Sequence, residues 1–311
     1  MAGEWVPRDA NMDAPVPVIS LRSIRLPDPT RGEDLQVRVS APVTGDGLPV
    51  VLFSHGFGSS MDGYAPLSDY WAARGFVVIQ PTYLDARRLG LPENDPRRPM
   101  IWRTRVSDAK HVLDQLDAVF AQVPDLSGRV DADRLAAAGH SFGGQTTSLL
   151  LGARMVGTGG GEDMSDARVK AGILLASGGI GGDDLSPIGR QMTPYLDMSF
   201  DQMRTPTLVI AGDADRSPLT VRGPDWFHDP YDLAPGRKAL LTLSGGEHML
   251  GGISGYGVTE TTDENPDRVA LIQRVTLAYL QLCLLDRDAG WSTIQAGLAN
   301  REENIATLRR K

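Results

Sequence analysis

Ser141 lies at the centre of Gly139-His140-Ser141-Phe142-Gly143, preceded by the apolar run Leu135-Ala136-Ala137-Ala138 and followed by a helical pattern from Gln145 to Leu151. A strand, a sharp turn carrying serine and then a helix, with glycine two residues to either side, is the pattern of a nucleophile elbow. The turn is so tight that the serine backbone is strained and positions 139 and 143 must be nearly free of side chain. A hydroxyl held there stands at the tip of a sheet. The Phe142 amide sits at the start of the helix, where it can stabilise an oxyanion. These features suit nucleophilic attack on a carbonyl.

Serine alone is a weak nucleophile and needs a base. Among five histidines, His248 follows the apolar run Ala239–Leu243 in the loop Ser244-Gly245-Gly246-Glu247-His248-Met249. It is predicted to take the Ser141 proton and return it to the leaving group. His140 should point away from the nucleophile and bond the scaffold; His55 lies on the oxyanion side, His111 on a helix and His228 in a loop. A carboxylate must hold the imidazole tautomer. Asp215, three residues past Gly212 after the run Thr207–Ile210, is favoured, with Asp213 as the alternative and turn capping as its other role. The second oxyanion donor is expected from Ser54-His55-Gly56-Phe57-Gly58, where Gly56 lets the backbone approach and the Phe57 amide points inward. Phe57, Phe142, Met61, Tyr64, Trp102, Trp226 and Met249 are candidates for an apolar pocket, although an aromatic side chain alone is more often core.

Each of these loops follows a strand-like run, and ligands in open parallel sheets sit beyond the carboxyl ends of the strands. Val50–Phe53 is a continuous apolar run, the mark of a strand buried on both faces; Phe76–Ile79 reads as another buried strand, and Ile173–Leu175, Thr207–Ile210 and Ala239–Leu243 as further strands. Val18–Leu26 and Leu35–Val43 read as two further strands. Tyr64–Arg74, Val106–Val123 and Pro266–Leu285 have helical character, Pro266 being suited to a first turn. Arg87–Met100 reads as an irregular, proline-rich loop. The pattern predicts an α/β chain with a mostly parallel central sheet and helices on both faces. One domain is expected over 1–311, with an N-terminal arm at 1–17, a small lid at 178–203, which is long for a plain connection, and a C-terminal extension at 287–311, a surface helix or an interface.

The 311 residues are 41% hydrophobic and 23% charged, with net charge −8 and no lysine or arginine run. That composition gives nucleic-acid or anionic-membrane binding little electrostatic support. The single cysteine, Cys283, allows no intrachain disulfide. The first residues lack a signal-peptide layout and no apolar run approaches spanning length, so a soluble, cytoplasmic protein without membrane insertion is expected. No metal or phosphate-loop spacing is seen, so no cofactor is predicted. A small-molecule substrate is the partner expected.

Phe53-Ser54-His55-Gly56-Phe57-Gly58, Ala72–Ile79 and Gly139–Gly144 resemble the α/β-hydrolases grouped with dienelactone hydrolase-like esterases. Related branches are the platelet-activating-factor acetylhydrolases, chlorophyllases and bacterial cutinases. The resemblance runs from about residue 35 to 285, and the serine, acid, histidine order is that of the α/β-hydrolase fold. It implies a serine carboxylic-ester hydrolase using Ser141, Asp215 and His248 and an acyl-enzyme, on a small to medium, partly apolar ester. The same triad also serves amide, thioester, lactone or carbon–carbon cleavage, and the fold also supports binding without turnover. Some members place the acid after the preceding strand, near Asp183 and Asp184. The acetylhydrolases carry theirs where this chain has Ala176 and Ser177, so Asp215 is closer to the cutinase and chlorophyllase arrangement. Secreted cutinases usually have a signal peptide and a disulfide, and dienelactone hydrolases proper use a cysteine nucleophile; this chain shows none of these.

Overall fold

The computed structural model describes residues 14–28, 31–157, 160–256, 261–299 and 305–311. Six parallel strands form the middle of a nine-stranded sheet: β3 (Leu48–Ser54), β4 (Val77–Thr82), β5 (Val130–His140), β7 (Val169–Leu175), β9 (Thr207–Gly212) and β10 (Lys238–Leu243). The chain enters through the antiparallel pair β1 (Val18–Leu26) and β2 (Leu35–Pro42), giving the order β1-β2-β4-β3-β5-β7-β9-β10-β11. Every residue of β3, β4 and β9 is buried, as expected of runs covered by helices on both faces.

The covering helices are α1 (Ala65–Ala72), α2 (Ile101–Asp114), α3 (Leu116–Phe120), α4 (Phe142–Leu150) and α7 (Pro266–Leu285). The helix predicted over Val106–Val123 starts five residues earlier and breaks at Gln115. A short turn with Pro99 at its start leads into α2, and Arg103, Arg105 and Asp108 obscure the apolar periodicity of its first turns. The bounds of α7 are those predicted, with the Asn265 side chain accepting the Arg268 amide at 3.0 Å, a helix cap. At 20 residues α7 does have the length and apolarity to cross a membrane, but over half of its apolar window is buried in the fold. Trp71 of α1 donates its indole N–H to Thr276 of α7 at 2.9 Å.

The extension at 287–311 is more than a surface helix. After α8 (Ala289–Ala299), β11 (Ala306–Arg310) pairs antiparallel with β10 and closes that edge of the sheet. Residues 178–203 hold a single-turn helix at Gly182–Asp184, then α5 (Pro187–Met192) and β8 (Met198–Ser199), which pairs with β6 (Arg154–Met155). Arg222 ties this segment down by pairing with Asp184 at 3.1 Å and with Asp229, the first residue of the short α6 (Asp229–Asp232), at 2.9 Å. Most of the expected N-terminal arm, residues 1–13, lies outside the described residues; next to it the Val16 amide bonds the Ala73 carbonyl at 2.8 Å.

Candidate active site

The strand β5 lies between β3 and β7 and ends directly at Ser141, whose φ of 54° and ψ of −119° put a non-glycine residue in a sparsely populated region costing about 1–3 kcal/mol. The neighbours explain the glycines. A Cβ on Gly139 would run into the Gly143 carbonyl, and one on Gly143 into the carbonyls of Ser54 and His55. The elbow is therefore packed against the end of β3, and the Ser141 amide is anchored to the Leu175 carbonyl of β7 at 2.9 Å.

From that perch Ser141 Oγ lies 2.8 Å from His248 Nε2, and His248 Nδ1 lies 3.0 Å from Asp215 Oδ2. Asp215 is fully buried, whereas the His248 side chain is 39% exposed, so the carboxylate anchors a ring that is open to the cavity. Asp215 Oδ1 is buried with no hydrogen-bond partner among the described residues. The alternative acid, Asp213, accepts the Gly245 amide at 2.6 Å, the turn-capping role. Asp184 pairs with Arg222, not with His248. The acid and histidine loops meet where a Cβ on Gly212 would strike the Gly246 carbonyl, and the Ala214 amide bonds that same carbonyl at 3.0 Å.

His140 supports His248 from behind. Its Nε2–H donates to the His248 carbonyl at 2.8 Å, and its Nδ1 accepts the Tyr64 hydroxyl at 2.9 Å. The Tyr64 oxygen in turn accepts the Gly56 amide at 3.0 Å. Every donor in this bridge meets an acceptor only if His140 is neutral. Burial, reinforced by the nearby His248, pushes its pKa down to about 3. His55 is neutral for a similar reason: burial, then the Arg105 charge, takes it to about 3. Its Nδ1–H donates to the Gly56 carbonyl at 2.7 Å, and its Nε2 accepts the Tyr83 amide at 3.1 Å.

A sequence model described as "Alpha/beta hydrolase family" matches residues 51–305. The chain belongs to the alpha/beta hydrolase family. It is similar to "Platelet-activating factor acetylhydrolase" of Cavia porcellus, at 24% identity over 82% of this chain and 62% of the relative. It is also similar to the protein of that name from Canis lupus familiaris, at 22% identity over 84% of this chain and 63% of the relative. The chain thus spans under two thirds of the length of these relatives.

In this alpha/beta hydrolase, Ser141 and His248 open into a cavity of about 500 Å³ walled by the loop Phe57 to Ser60, with Tyr64, Arg87, Arg88 and Met249. Phe57 is exposed, with its ring 6.3 Å from that of Phe142. The structure does not bring Met61, Trp102 or Trp226 to this cavity. Each is a buried core side chain: Trp102 stacks on Tyr195, and Trp226 donates its indole N–H to the Ile180 carbonyl. Nor does any residue of 178–203 line it, because the segment is fastened beside Trp226 and Arg222 instead. The wall is therefore more polar than the apolar pocket predicted. A second cavity of similar volume, bounded by Lys238, Cys283 and Trp291, lies at the opposite end of β10, away from Ser141.

Sequence reasoning passed over Asp85 and Arg105, which are fully or almost fully buried. Arg105 Nε and Nη2 donate to Asp85 Oδ1 and Oδ2, both at 2.8 Å. Burial alone would raise the Asp85 pKa, but the Arg105 charge and hydrogen bonds win and hold it at about 2. The available signal was a charge within the core-facing stripe of α2, where Arg105 stands between the buried Trp102 and Ala109; charges almost never enter a core unless paired.

Proposed function

We propose that this chain is a serine carboxylic-ester hydrolase that works through an acyl-enzyme. The observation that carries the reading is the continuous hydrogen-bonded chain Ser141–His248–Asp215 at the mouth of a cavity, with the serine on a strained elbow. Ser141 Oγ attacks the ester carbonyl while His248 Nε2 accepts its proton. Asp215 receives the Nδ1–H, keeping Nε2 free as acceptor and stabilising the imidazolium that forms. The carbonyl oxygen becomes an oxyanion bound by the amides of Phe57 and Phe142. Among the described residues neither amide donates to another backbone carbonyl. His248 then protonates the departing alcohol, and water, activated by the same imidazole, releases the acid.

The mixed wall of the cavity, with Phe57, Tyr64 and Met249 beside Arg87, Ser59 and Ser60, suits a small to medium ester of partly apolar character. The name of the two relatives, acetylhydrolase, agrees with a short acyl group. The test is hydrolysis of p-nitrophenyl esters from acetate to palmitate by wild type and by Ser141→Ala. Turnover that is best on short chains and vanishes in the variant is expected. A folded wild type without turnover, or an active Ser141→Ala, overturns the reading.

A further inference from the structure

We propose that the buried Arg105–Asp85 pair, together with His55, is a positioning device that aims the Phe57 amide at the developing oxyanion. The inference rests on the serine-hydrolase reading above. A trans peptide unit is planar, with its carbonyl and its N–H pointing in opposite directions. The Phe57 N–H shares such a unit with the Gly56 carbonyl. That carbonyl is pinned from the protein side by His55 Nδ1 at 2.7 Å and, more distantly, by Arg105 Nη2 at 3.4 Å. Fixing the oxygen inward directs the N–H outward, toward the cavity that Phe57 lines.

The flanking peptide units are held by the same pair. The His55 carbonyl accepts from Arg105 Nη1 at 2.8 Å, and the Gly58 N–H donates to Asp85 Oδ2 at 3.0 Å. Three consecutive peptide units around Phe57 are thus tied to one salt bridge. The guanidinium also lies between two rings, 4.5 Å from the centre of Tyr83 and 4.4 Å from that of Phe142. Arg105 therefore touches the residue that carries the second proposed donor as well. A buried ion pair is a poor source of net stability, since desolvation offsets its attraction. Its position here, bonded to loop backbone on both sides of a single amide, gives it a different role.

The test uses Asp85→Asn and Arg105→Lys in the full chain, with turnover expressed per active site titrated by a fluorophosphonate. Removing an oxyanion donor outright lowers kcat by about 10²–10³-fold; a misaimed donor should lower it by roughly 10–100-fold, with KM for a p-nitrophenyl ester within about twofold. A trifluoromethyl ketone, which forms a tetrahedral oxyanion on the serine, should lose affinity by the same factor as kcat. A merely structural role would lower the melting temperature and the titrated fraction, but leave per-site kcat and ketone affinity at the wild-type value, and that outcome overturns the proposal. If Arg105→Lys does not fold, Asp85→Asn decides, because it keeps the shape and one acceptor oxygen. Residual activity in Ser141→Ala would instead condemn the parent reading. A dead Ser141→Ala beside a per-site normal Asp85→Asn would sink the positioning role alone.

Discussion

Replacing Asp215 by asparagine changes few atoms and tests the proposed chemistry at its most buried point. The carboxylate meets the ring through one contact, Oδ2 to His248 Nδ1 at 3.0 Å, and its other oxygen has no partner among the described residues. If the new amide turns its NH₂ toward Nδ1, that nitrogen must become an acceptor. The ring proton then moves to Nε2, facing Ser141 Oγ, and the base is lost. If it turns its oxygen toward Nδ1, the tautomer survives, but the NH₂ is buried where Oδ1 stood, at a cost of about 1–3 kcal/mol for an unmet donor. The negative charge that steadies the imidazolium is missing in either case. Wrong-tautomer replacements of this kind lower kcat by about 10⁴-fold, so Asp215→Asn should lose roughly 10³–10⁴-fold in kcat, or about 4–5.5 kcal/mol of transition-state stabilisation. Asp213→Asn is the matched control: it keeps an oxygen for the Gly245 amide and should stay within about threefold of wild type. Initial rates on p-nitrophenyl butyrate, with ¹⁵N imidazole shifts reporting the tautomer, measure both. A loss below tenfold at Asp215, or an equal loss at Asp213, refutes the reasoning.

Two further outcomes follow from the buried network. Tyr64→Phe removes the hydroxyl between Gly56 and His140 and leaves a buried N–H and a ring nitrogen unmet, so thermal and urea denaturation should show a loss of about 2–4 kcal/mol; an unchanged stability would mean that water substitutes for the phenol. Stability should also fall as pH drops from about 6.5 to 4. His55 and His140, held near 3 by burial, bind protons there only when unfolded. Asp108, pushed up to about 7 by burial against the pull of Arg31, binds one only when folded. The unfolded chain therefore takes up a net of roughly one proton, and the loss is about 1.4 kcal/mol per pH unit; melting temperatures that are flat or rising toward pH 4.5 would contradict the neutral histidines.

The sheet was legible in the sequence because its central strands are covered on both faces, which leaves uninterrupted apolar runs such as Val50–Phe53 and Phe76–Ile79. The helix α7 was legible from its helical pattern and the proline at its start. Ser141, Asp215 and His248 could be singled out because each lies in a loop just past one of these runs, at the carboxyl end of the sheet. What escaped notice obeys no such local rule. Trp102 and Trp226 look alike in sequence whether they face a ligand or a core, since only tertiary packing decides. Asp85 and Arg105 are 20 residues apart and gain meaning only through the backbone they grip. The edge strand β11 is short and carries two arginines, so its alternation is weak, and its pairing with β10 is a property of the sheet rather than of the segment.

The crossing of Gly212 and Gly246 has a consequence for how such a protein can change over evolutionary time. The loop bearing the acid and the loop bearing the histidine are brought together by backbone touching backbone, with no side chain in the gap. Their closest approach is set by these two glycines, while Asp263, which accepts the amides of Glu247 and Gly251, steadies the histidine loop from its far side. Exposed positions further along either loop, such as Val221 and Tyr256, can drift or be exchanged while the 3.0 Å contact between Asp215 and His248 is left alone. Substitution at Gly212 has no such freedom, and a Cβ on Gly246 would press on Leu243 at 3.0 Å. A lineage can explore new substrates on one side of this point while the other side stays fixed, and chimeric libraries should place their junctions just outside it.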